Sequence, residues 1–177
     1  MSKRALIVID VQNEYFTGGK WALPASKEAL PNIQRLVSLA RERGERVFYV
    51  RHFLPAGAPV FADGTPGCEL HDDLDVRPDD TIIKKAHPSA FMGTGLQDML
   101  KGDGVEALDI CGFMTQMCCD TTTREAFSRG YKVRFFSDAT AAKDLDANGE
   151  TIPHDTVHKA ELVSLKSFAQ ILTTEQA

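Results

Sequence analysis

The sequence of 177 residues lacks the features that mark several special classes of protein. It has four cysteines and one tryptophan, and four thiols are too few for a disulfide-held scaffold in a chain of this length. Its apolar runs reach only about half a dozen residues, whereas a membrane-spanning helix needs roughly 20. The net charge of −5 argues against nucleic acid or an anionic membrane as the main partner.

The cysteines and the N-terminus also bear on the compartment. Cys68, Cys111, Cys118 and Cys119 form neither a C-x-x-C pair nor a zinc-site spacing, so free thiols in a reducing compartment are the simpler interpretation. The apolar run after Lys3 and Arg4 stops at Asp10, too early for a secretory signal, and no small-residue cleavage site follows. We expect a cytoplasmic protein.

Short apolar runs alternate along the chain with segments of helical spacing. Strands are predicted at 4–9, 46–50, 81–84, 106–110, 131–136 and about 169–172. Helices are predicted to begin near Pro31 and end at Gly44, and to span about 96–101, 120–129 and 154–166. This alternation predicts an α/β fold: a single-domain three-layer sandwich over residues 1–177, in which a parallel sheet of about six strands carries helices on both faces.

Two loops are predicted to shape a pocket at one edge of that sheet. Residues 16–25 contain paired glycines and follow the first strand without a dinucleotide-binding glycine motif. Residues 54–80 are rich in proline and glycine, and so long a loop in a compact domain is more often functional than idle. We expect it to wall a pocket or to contact a partner subunit.

Residues 110–120 are predicted to form the end of a buried strand, a glycine turn and the first turn of a helix. A cysteine at a helix start meets unpaired N–H groups and the positive end of the helix dipole. That environment lowers the pKa of a thiol and supplies donors for a substrate oxyanion. We therefore predict that Cys118 is a nucleophile that reacts as a thiolate.

Asp10, Lys85 and Cys118 follow three different predicted strands. Taken singly, they read as a turn former, a solvated charge and a small core residue. Because the carboxyl ends of parallel strands share one edge, the three side chains can meet there. Their joint placement favours a catalytic site over three unrelated structural roles.

The chemistry of the three groups suggests a division of labour. Lys85 would stabilise a thiolate and keep Asp10 ionised, and Asp10 would take the thiol proton and later activate water. Cys118 would attack a carbonyl carbon and hold the acyl group as a thioester. The N–H groups of Met114 and Cys118 would face the oxyanion. This arrangement needs no metal and no other cofactor.

Three motifs resemble the isochorismatase-like cysteine hydrolase family. They are Asp10-Val11-Gln12 after the first strand, Lys85 four residues before Ser89-Ala90-Phe91, and Gly-Phe-Met-Thr-Gln-Met-Cys at 112–118. Gly130-Tyr131 and Asp138-Ala139 match as well, so the resemblance covers nearly the whole chain. Within the family it resembles the stand-alone amidohydrolases, which include nicotinamidases, N-carbamoylsarcosine amidase and streptothricin hydrolase.

The resemblance assigns the family's catalytic triad to Asp10, Lys85 and Cys118. It also implies a non-proline cis peptide between Phe113 and Met114. Isochorismatases proper lack the nucleophilic cysteine, so Cys118 argues against vinyl-ether hydrolysis. We further predict that Gln12, Phe16, His52 and Phe113 bind substrate, although core packing is the alternative for the aromatic residues other than Phe16.

The sequence departs from the family pattern at two points. Nicotinamidases carry an Asp-x-His metal set after the second strand, where this chain has Arg51-His52-Phe53-Leu54-Pro55. This departure argues against zinc and against nicotinamide as the substrate. Cys119 follows the nucleophile where valine is common. It is interpreted as a buried substitute for valine, with a resolving thiol as the alternative. His154 and His158 have a spacing that can hold a metal, but without a third ligand a helix surface is favoured.

Together these features predict a cysteine hydrolase that cleaves a C–N bond in a small amide, imide or ureido compound. A binding or redox-sensing protein on the same fold is one alternative, and hydrolysis of a non-amide substrate is another. The expected partners are a small molecule and further copies of the chain, as a dimer or tetramer. The sequence leaves the substrate and the number of subunits open.

Overall fold

The computed structural model describes residues 2–177 and contains one six-stranded parallel sheet. Its strands are β1 (Arg4–Ile9), β2 (Arg46–His52), β3 (Thr81–Lys85), β4 (Ala107–Phe113), β5 (Lys132–Ala141) and, after a small hairpin of β6 (Leu145–Ala147) and β7 (Glu150–Ile152), β8 (Gln170–Leu172). The order across the sheet is β3-β2-β1-β4-β5-β8, and every neighbouring pair is parallel.

Four helices cover the two faces of the sheet: α1 (Ser26–Glu42), α2 (Leu96–Gly102), α3 (Asp120–Ser128) and α4 (His154–Leu165). Successive residues of a strand point to opposite faces, and β1 divides accordingly. Leu6 and Val8 pack in the core with α1, whereas Ile7 and Ile9 pack in the core with α2 and α3. The predicted three-layer α/β sandwich is confirmed. No helix within residues 2–177 combines the length and apolar character needed to cross a membrane.

The strand order places a crevice between β1 and β4. The chain leaves β1 through α1 to reach β2 on one side, and later leaves β4 through α3 to reach β5 on the other. At such a switch point the two connections diverge to opposite faces, so the carboxyl ends of the central strands stay open to ligands. Asp10 follows β1, and the segment with Cys118 follows β4.

Several predicted boundaries are wrong. The first helix begins at Ser26, so Pro31 lies inside it and not in its first turn; proline lacks a hydrogen-bond donor but its fixed φ still suits a helix. The fourth strand extends to Phe113 and the fifth to Ala141. Their pairing jumps from Ile110–Phe135 to Gly112–Thr140, an irregularity that no local sequence pattern indicates.

The antiparallel hairpin of β6 and β7 was not predicted, although the sequence carries its signal. Asn148 and Gly149 connect the two strands, and both have positive φ, 57° and 89°. Asn-Gly is the preferred pair for a two-residue hairpin turn because both positions require that backbone region. The hairpin leads directly into α4.

Candidate active site

The three predicted catalytic side chains meet at the carboxyl edge of the sheet. Lys85 Nζ lies 2.7 Å from Asp10 Oδ2 and 3.3 Å from Cys118 Sγ. Asp10 and Lys85 are almost fully buried, and Cys118 retains 5% of its exposure. A carboxylate, an ammonium group and a thiol are therefore close together, and Cys118 is the least buried of the three residues.

Asp10 is held by an unusual backbone conformation. Its φ is 51°, in the left-handed region that non-glycine residues seldom occupy. Its N–H donates to the carbonyl of Val50 at the end of β2, at 2.9 Å, and its own carbonyl accepts from Gln12 N–H at 2.8 Å. The turn after β1 is thus fixed by hydrogen bonds on both sides of the carboxylate.

Gly112 sets the approach of the nucleophile segment to β1. Its φ is +113°, and a Cβ added there would overlap the carbonyl oxygen of Ile9. Only glycine accommodates this backbone contact. The cis peptide expected between Phe113 and Met114 is present, directly before the segment that carries Cys118.

Cys118 lies in a π-helical segment, Thr115–Cys119, that continues into α3. The Met114 carbonyl accepts from the N–H groups of both Met117 and Cys119. Within residues 2–177, no carbonyl or side chain accepts a hydrogen bond from the Met114 N–H. The assignment of Met114 and Cys118 as oxyanion donors stays a prediction, and this unengaged N–H supports it.

Lys85 is the hub of the site. Besides Asp10 and Cys118, its ammonium group contacts His52 Nδ1 at 3.3 Å and donates to the His87 carbonyl at 3.1 Å. Burial alone would lower the pKa of Lys85, but the charge of Asp10 and the Cys118 sulfur outweigh burial and raise it above the ordinary value. Lys85 is therefore a fixed cation.

The electrostatics of Cys118 correct the sequence-based expectation of a resting thiolate. Burial raises the pKa of the Cys118 thiol, the neighbouring Asp10 carboxylate raises it further, and Lys85 only partly offsets both. The helix-start argument overlooked a buried negative charge beside the sulfur. Burial and the Asp10 carboxylate therefore favour the protonated thiol over the thiolate, and the carboxylate lies where it can accept the thiol proton.

Gln12, predicted to bind substrate, takes a different role. The residue has no exposed surface. Its Nε2 donates to the carbonyls of His52 and Cys68, at 2.8 and 2.6 Å, and its Oε1 accepts from the His52 N–H at 2.8 Å. Both amide hydrogens and one of the two lone pairs of the amide oxygen are thus used within the protein. Gln12 therefore ties the ends of β1 and β2 to the long loop and is not available to a ligand.

The three aromatic candidates differ in their surroundings. Phe113 is fully buried and packs edge-to-face against Tyr15 and Phe16, which fits the core-packing alternative. Phe16 forms part of the wall of a cavity of about 500 Å³. His52 is half-buried beside Lys85. Burial first, and then the Lys85 charge, lower its pKa, which favours a neutral imidazole next to the Lys85 ammonium group.

The structure also reveals site residues that the sequence analysis missed. Phe61, in the middle of the long loop, has a φ of 49° and packs its ring against His52 and Tyr15 at centroid distances of 5.5 and 5.0 Å. His158 Nδ1 lies 2.9 Å from the hydroxyl of Thr115, the first residue of the π segment. Neither contact has a local signal, because both partners are distant in sequence.

The other thiols are separated from the nucleophile or enclosed. Cys119 is fully buried in the same core as Cys118, as expected of a residue that replaces valine. Cys111 packs in the opposite core, with α1. All four cysteines are free.

The residues beside the triad do not fit a metal ion. The Arg51 guanidinium, which precedes His52, pairs with Asp63 at 2.8 Å and Glu69 at 2.5 Å. The Nδ1 of His52 faces the Lys85 ammonium, which would repel a cation. Within residues 2–177, no group of three or more His, Cys, Asp or Glu side chains could hold a metal, and His158 contacts Thr115 instead.

Comparison with known proteins identifies the family. The isochorismatase domain family matches residues 4–176. The chain belongs to the isochorismatase family. It is 37% identical over 173 residues to the uncharacterized isochorismatase family protein YddQ of Bacillus subtilis, covering 97% of this chain and 96% of that protein.

Two further relatives of this isochorismatase-family protein bear on its chemistry. Nicotinamidase 3 of Arabidopsis thaliana is 32% identical over 186 residues, covering 97% of this chain and 85% of the relative. The crystal structure of a cysteine hydrolase from Pseudomonas syringae superposes with a TM-score of 0.93 at 28% identity, covering 98% of this chain and 90% of that one. The family relationship supports a hydrolase that acts on amide-type C–N bonds.

Proposed function

We propose that this protein is a cysteine-dependent hydrolase that cleaves a C–N bond of a small amide, imide or ureido compound through a thioester. One observation carries the proposal: Lys85 Nζ is within 3.3 Å of Cys118 Sγ and within 2.7 Å of Asp10 Oδ2. A nucleophile, a proton acceptor and a cation that holds both in place form a working set for acyl transfer.

In the first half-reaction, Asp10 accepts the thiol proton while Cys118 Sγ attacks the substrate carbonyl carbon. The negative charge that forms on the carbonyl oxygen is met by the N–H groups of Met114 and Cys118. When the tetrahedral intermediate collapses, the C–N bond breaks and Asp10 returns the proton to the leaving nitrogen. Ammonia or an amine departs, and the acyl group stays on sulfur.

In the second half-reaction, Asp10 takes a proton from a water molecule that attacks the thioester carbon. The C–S bond then breaks, the Cys118 sulfur regains the proton, and the acid product leaves. Lys85 remains protonated throughout and opposes the charge on Asp10 and on the departing thiolate. Atoms balance over the cycle: one amide and one water give one acid and one amine.

The raised pKa of Cys118 suits this cycle. A thiol that keeps its proton until the carbonyl is in place does not react with passing electrophiles or oxidants as a free thiolate would. The same property weighs against the alternative of a redox sensor, which requires an exposed, low-pKa thiol. Hydrolysis of a non-amide substrate, such as an ester, uses the same residues and is distinguished by its products.

The experiment is a screen of small amides, imides and ureido compounds with detection of released ammonia, run on the wild type, Cys118→Ala and Cys119→Val. The proposal expects ammonia release by the wild type and by Cys119→Val, and none by Cys118→Ala. Ester turnover without any ammonia release would favour the non-amide alternative. Wild-type rates in Cys118→Ala would remove the covalent mechanism.

We also propose a cytoplasmic protein that assembles as a homodimer or homotetramer. Met92 and Met117 support self-association, because they expose 54% and 44% of their surface in the segments that follow Lys85 and precede Cys118. Apolar side chains at the rim of a site suit burial by a second subunit. Light scattering after gel filtration gives the number of subunits, and a monomer at micromolar concentration would refute this assembly.

A further inference from the structure

One cavity of the structure has no part in the mechanism above. The cavity of about 500 Å³ is enclosed between segments 13–20 and 58–72, and its wall includes Glu14, Phe16, Lys20, Phe61, Gly67 and His71. Its size suits a small organic molecule or one end of it. The catalytic cycle does not require a cavity here, so the question is which chemistry this space would accept.

Glu14 is the distinctive group of the cavity wall. The residue is only 5% exposed, yet no ion pair within residues 2–177 involves its carboxylate. Its Oε1 is enclosed and has no hydrogen-bond partner in that part of the chain. A Cβ at Gly67 would overlap Oε2, so the absence of a side chain at Gly67 provides the space that the carboxylate occupies.

A buried carboxylate without a partner is costly, and a cation or a strong hydrogen-bond donor removes that cost. The other charged groups of the cavity do not supply it. Lys20 Nζ donates to the Pro59 carbonyl at 2.6 Å and is exposed, and Asp72 is exposed and carries the same sign of charge as Glu14. Glu14 therefore has no counter-ion among the described residues that line the cavity.

The cavity adjoins the catalytic residues through two aromatic side chains. The ring of Phe16 lies 5.7 Å from that of Phe113, which precedes the Met114 N–H. The ring of Phe61 lies 5.5 Å from that of His52, which contacts Lys85 at 3.3 Å. These ring contacts link the cavity wall to the residues around Cys118, and a substrate that reached both Cys118 and Glu14 would have to pass these rings.

We propose that the cavity binds a protonated amine or guanidinium carried by the substrate, held by an ion pair with Glu14 and flanked by the rings of Phe16 and Phe61. This inference rests on the proposed hydrolase function and narrows its substrate class to small amides with a cationic group remote from the scissile bond. Cations also lie favourably over aromatic faces, so the carboxylate and the aromatic residues of the cavity wall favour the same kind of ligand. Glu14 then determines specificity and takes no part in proton transfer.

Binding to Cys118→Ala tests the proposal without turnover. Calorimetry compares 6-aminohexanamide with heptanamide, its neutral isostere, and repeats the comparison with a shorter pair, 4-aminobutanamide and pentanamide. Three variants are compared: Cys118→Ala alone, Cys118→Ala with Glu14→Gln, and Cys118→Ala with Asp72→Asn. The last is the matched control, because it removes an exposed carboxylate of the same cavity. We expect at least one aminoamide to bind about tenfold tighter than its isostere, the magnitude of a charge-assisted hydrogen bond.

The preference should fall to about twofold or less with Glu14→Gln and persist with Asp72→Asn, because only Glu14 is buried and unpaired. Equal binding of both members of each pair, or a preference that survives Glu14→Gln, overturns the proposal. In case Glu14→Gln does not fold, amide chemical shifts of Cys118→Ala report the location: aminoamides should move the Gly67 resonance and neutral amides should not. An unmoved Gly67 resonance also overturns it.

The outcome separates this inference from the proposed function. Glu14-dependent binding of aminoamides, together with a wild type that releases no ammonia from any amide, refutes the hydrolase and retains the cation site. Hydrolysis of neutral and cationic amides at equal kcat/KM, with no Glu14-dependent binding, retains the hydrolase and refutes the cation site.

Discussion

Asp10 and Lys85 form an ion pair, with 2.7 Å between Oδ2 and Nζ, from which solvent is excluded on both side chains. Each charge is tolerable there only because the other is present, since an isolated buried ion costs several kcal/mol. The thiol of Cys118 adds a third group to this pair at 3.3 Å from the ammonium. The stability of the fold and the proposed catalysis therefore depend on the same contact.

Replacing Lys85 by methionine should abolish hydrolysis and destabilise the fold by about 3–5 kcal/mol, because it leaves the Asp10 carboxylate buried without a counter-ion. Denaturant unfolding measures the change. The double variant Asp10→Asn with Lys85→Met removes both charges and should recover most of the lost stability but no activity. If the double variant is as unstable as the two single changes added together, the pair is not coupled as described.

Asp10→Asn should lower the rate of hydrolysis by about 10²–10⁴, the usual contribution of a general base. The same change should make Cys118 more reactive toward iodoacetamide near neutral pH. The carboxylate raises the pKa of the thiol, and removing that charge while Lys85 remains increases the thiolate fraction. Alkylation rates followed by intact-mass spectrometry check this. A slower alkylation in Asp10→Asn than in the wild type would show that Asp10 activates the free thiol.

Gly112→Ala should destabilise the protein by at least about 4 kcal/mol, the range of severe single substitutions. The new methyl group would overlap the carbonyl oxygen of Ile9 and would lie only 2.7 Å from the Ile9 nitrogen. Gly130→Ala is the control: its φ is also positive, 92°, but no atom lies within 4 Å of the added Cβ, so the cost should be about 1–2 kcal/mol. Similar losses in both variants would mean that backbone strain, and not the β1–β4 approach, explains Gly112.

Stability should fall as the pH drops below about 6.5, the ordinary pKa of histidine. Burial is the largest cause that lowers the pKa of both His52 and His158 in the folded protein. As the pH falls through that range, the unfolded chain therefore takes up protons before the folded protein does, and the free energy of unfolding decreases. Above it both states are neutral and the histidines contribute nothing.

The histidine contribution is measured by urea unfolding between about pH 8 and pH 5, comparing the wild type with His158→Gln. The variant should show a shallower loss of stability on acidification, because it lacks one of the groups that is kept neutral by burial. An equally steep loss would place the pH dependence on His52 or on the carboxylates. A gain of stability at low pH would contradict the assignment of buried neutral imidazoles.

Local sequence patterns predict much of the fold. The fold, together with the order of the strands along the chain, predicts that the three triad residues lie at one edge of the sheet. The uninterrupted apolar run of β1 predicts a strand covered on both faces, and parallel strands bring Asp10, Lys85 and Cys118 to one edge. The hairpin was predictable too, since Asn148-Gly149 is a strong turn signal. The predicted start of α1 at Pro31 was too late, because the preference of proline for a first turn was outweighed by packing of the preceding residues.

The parts that the sequence analysis missed arise from contacts between distant residues. The protonation of Cys118 depends on how deeply Asp10 is buried beside it, and burial depth is a property of the assembled core. Gln12 has a polar side chain that could bind a ligand, but its hydrogen bonds to His52 and Cys68 form only once the long loop folds back. The space beside Gly67 that receives Glu14 is likewise set by two loops that meet.

The central claim is a covalent intermediate on Cys118, and rapid-quench intact-mass spectrometry tests it most directly. During turnover of an amide that releases ammonia, the account predicts a mass increase equal to the acyl group, mapped by peptide analysis to Cys118 and absent in Cys118→Ala but present in Cys119→Val. Turnover at an undiminished rate in Cys118→Ala, with no acyl adduct trapped on the wild type, would contradict it.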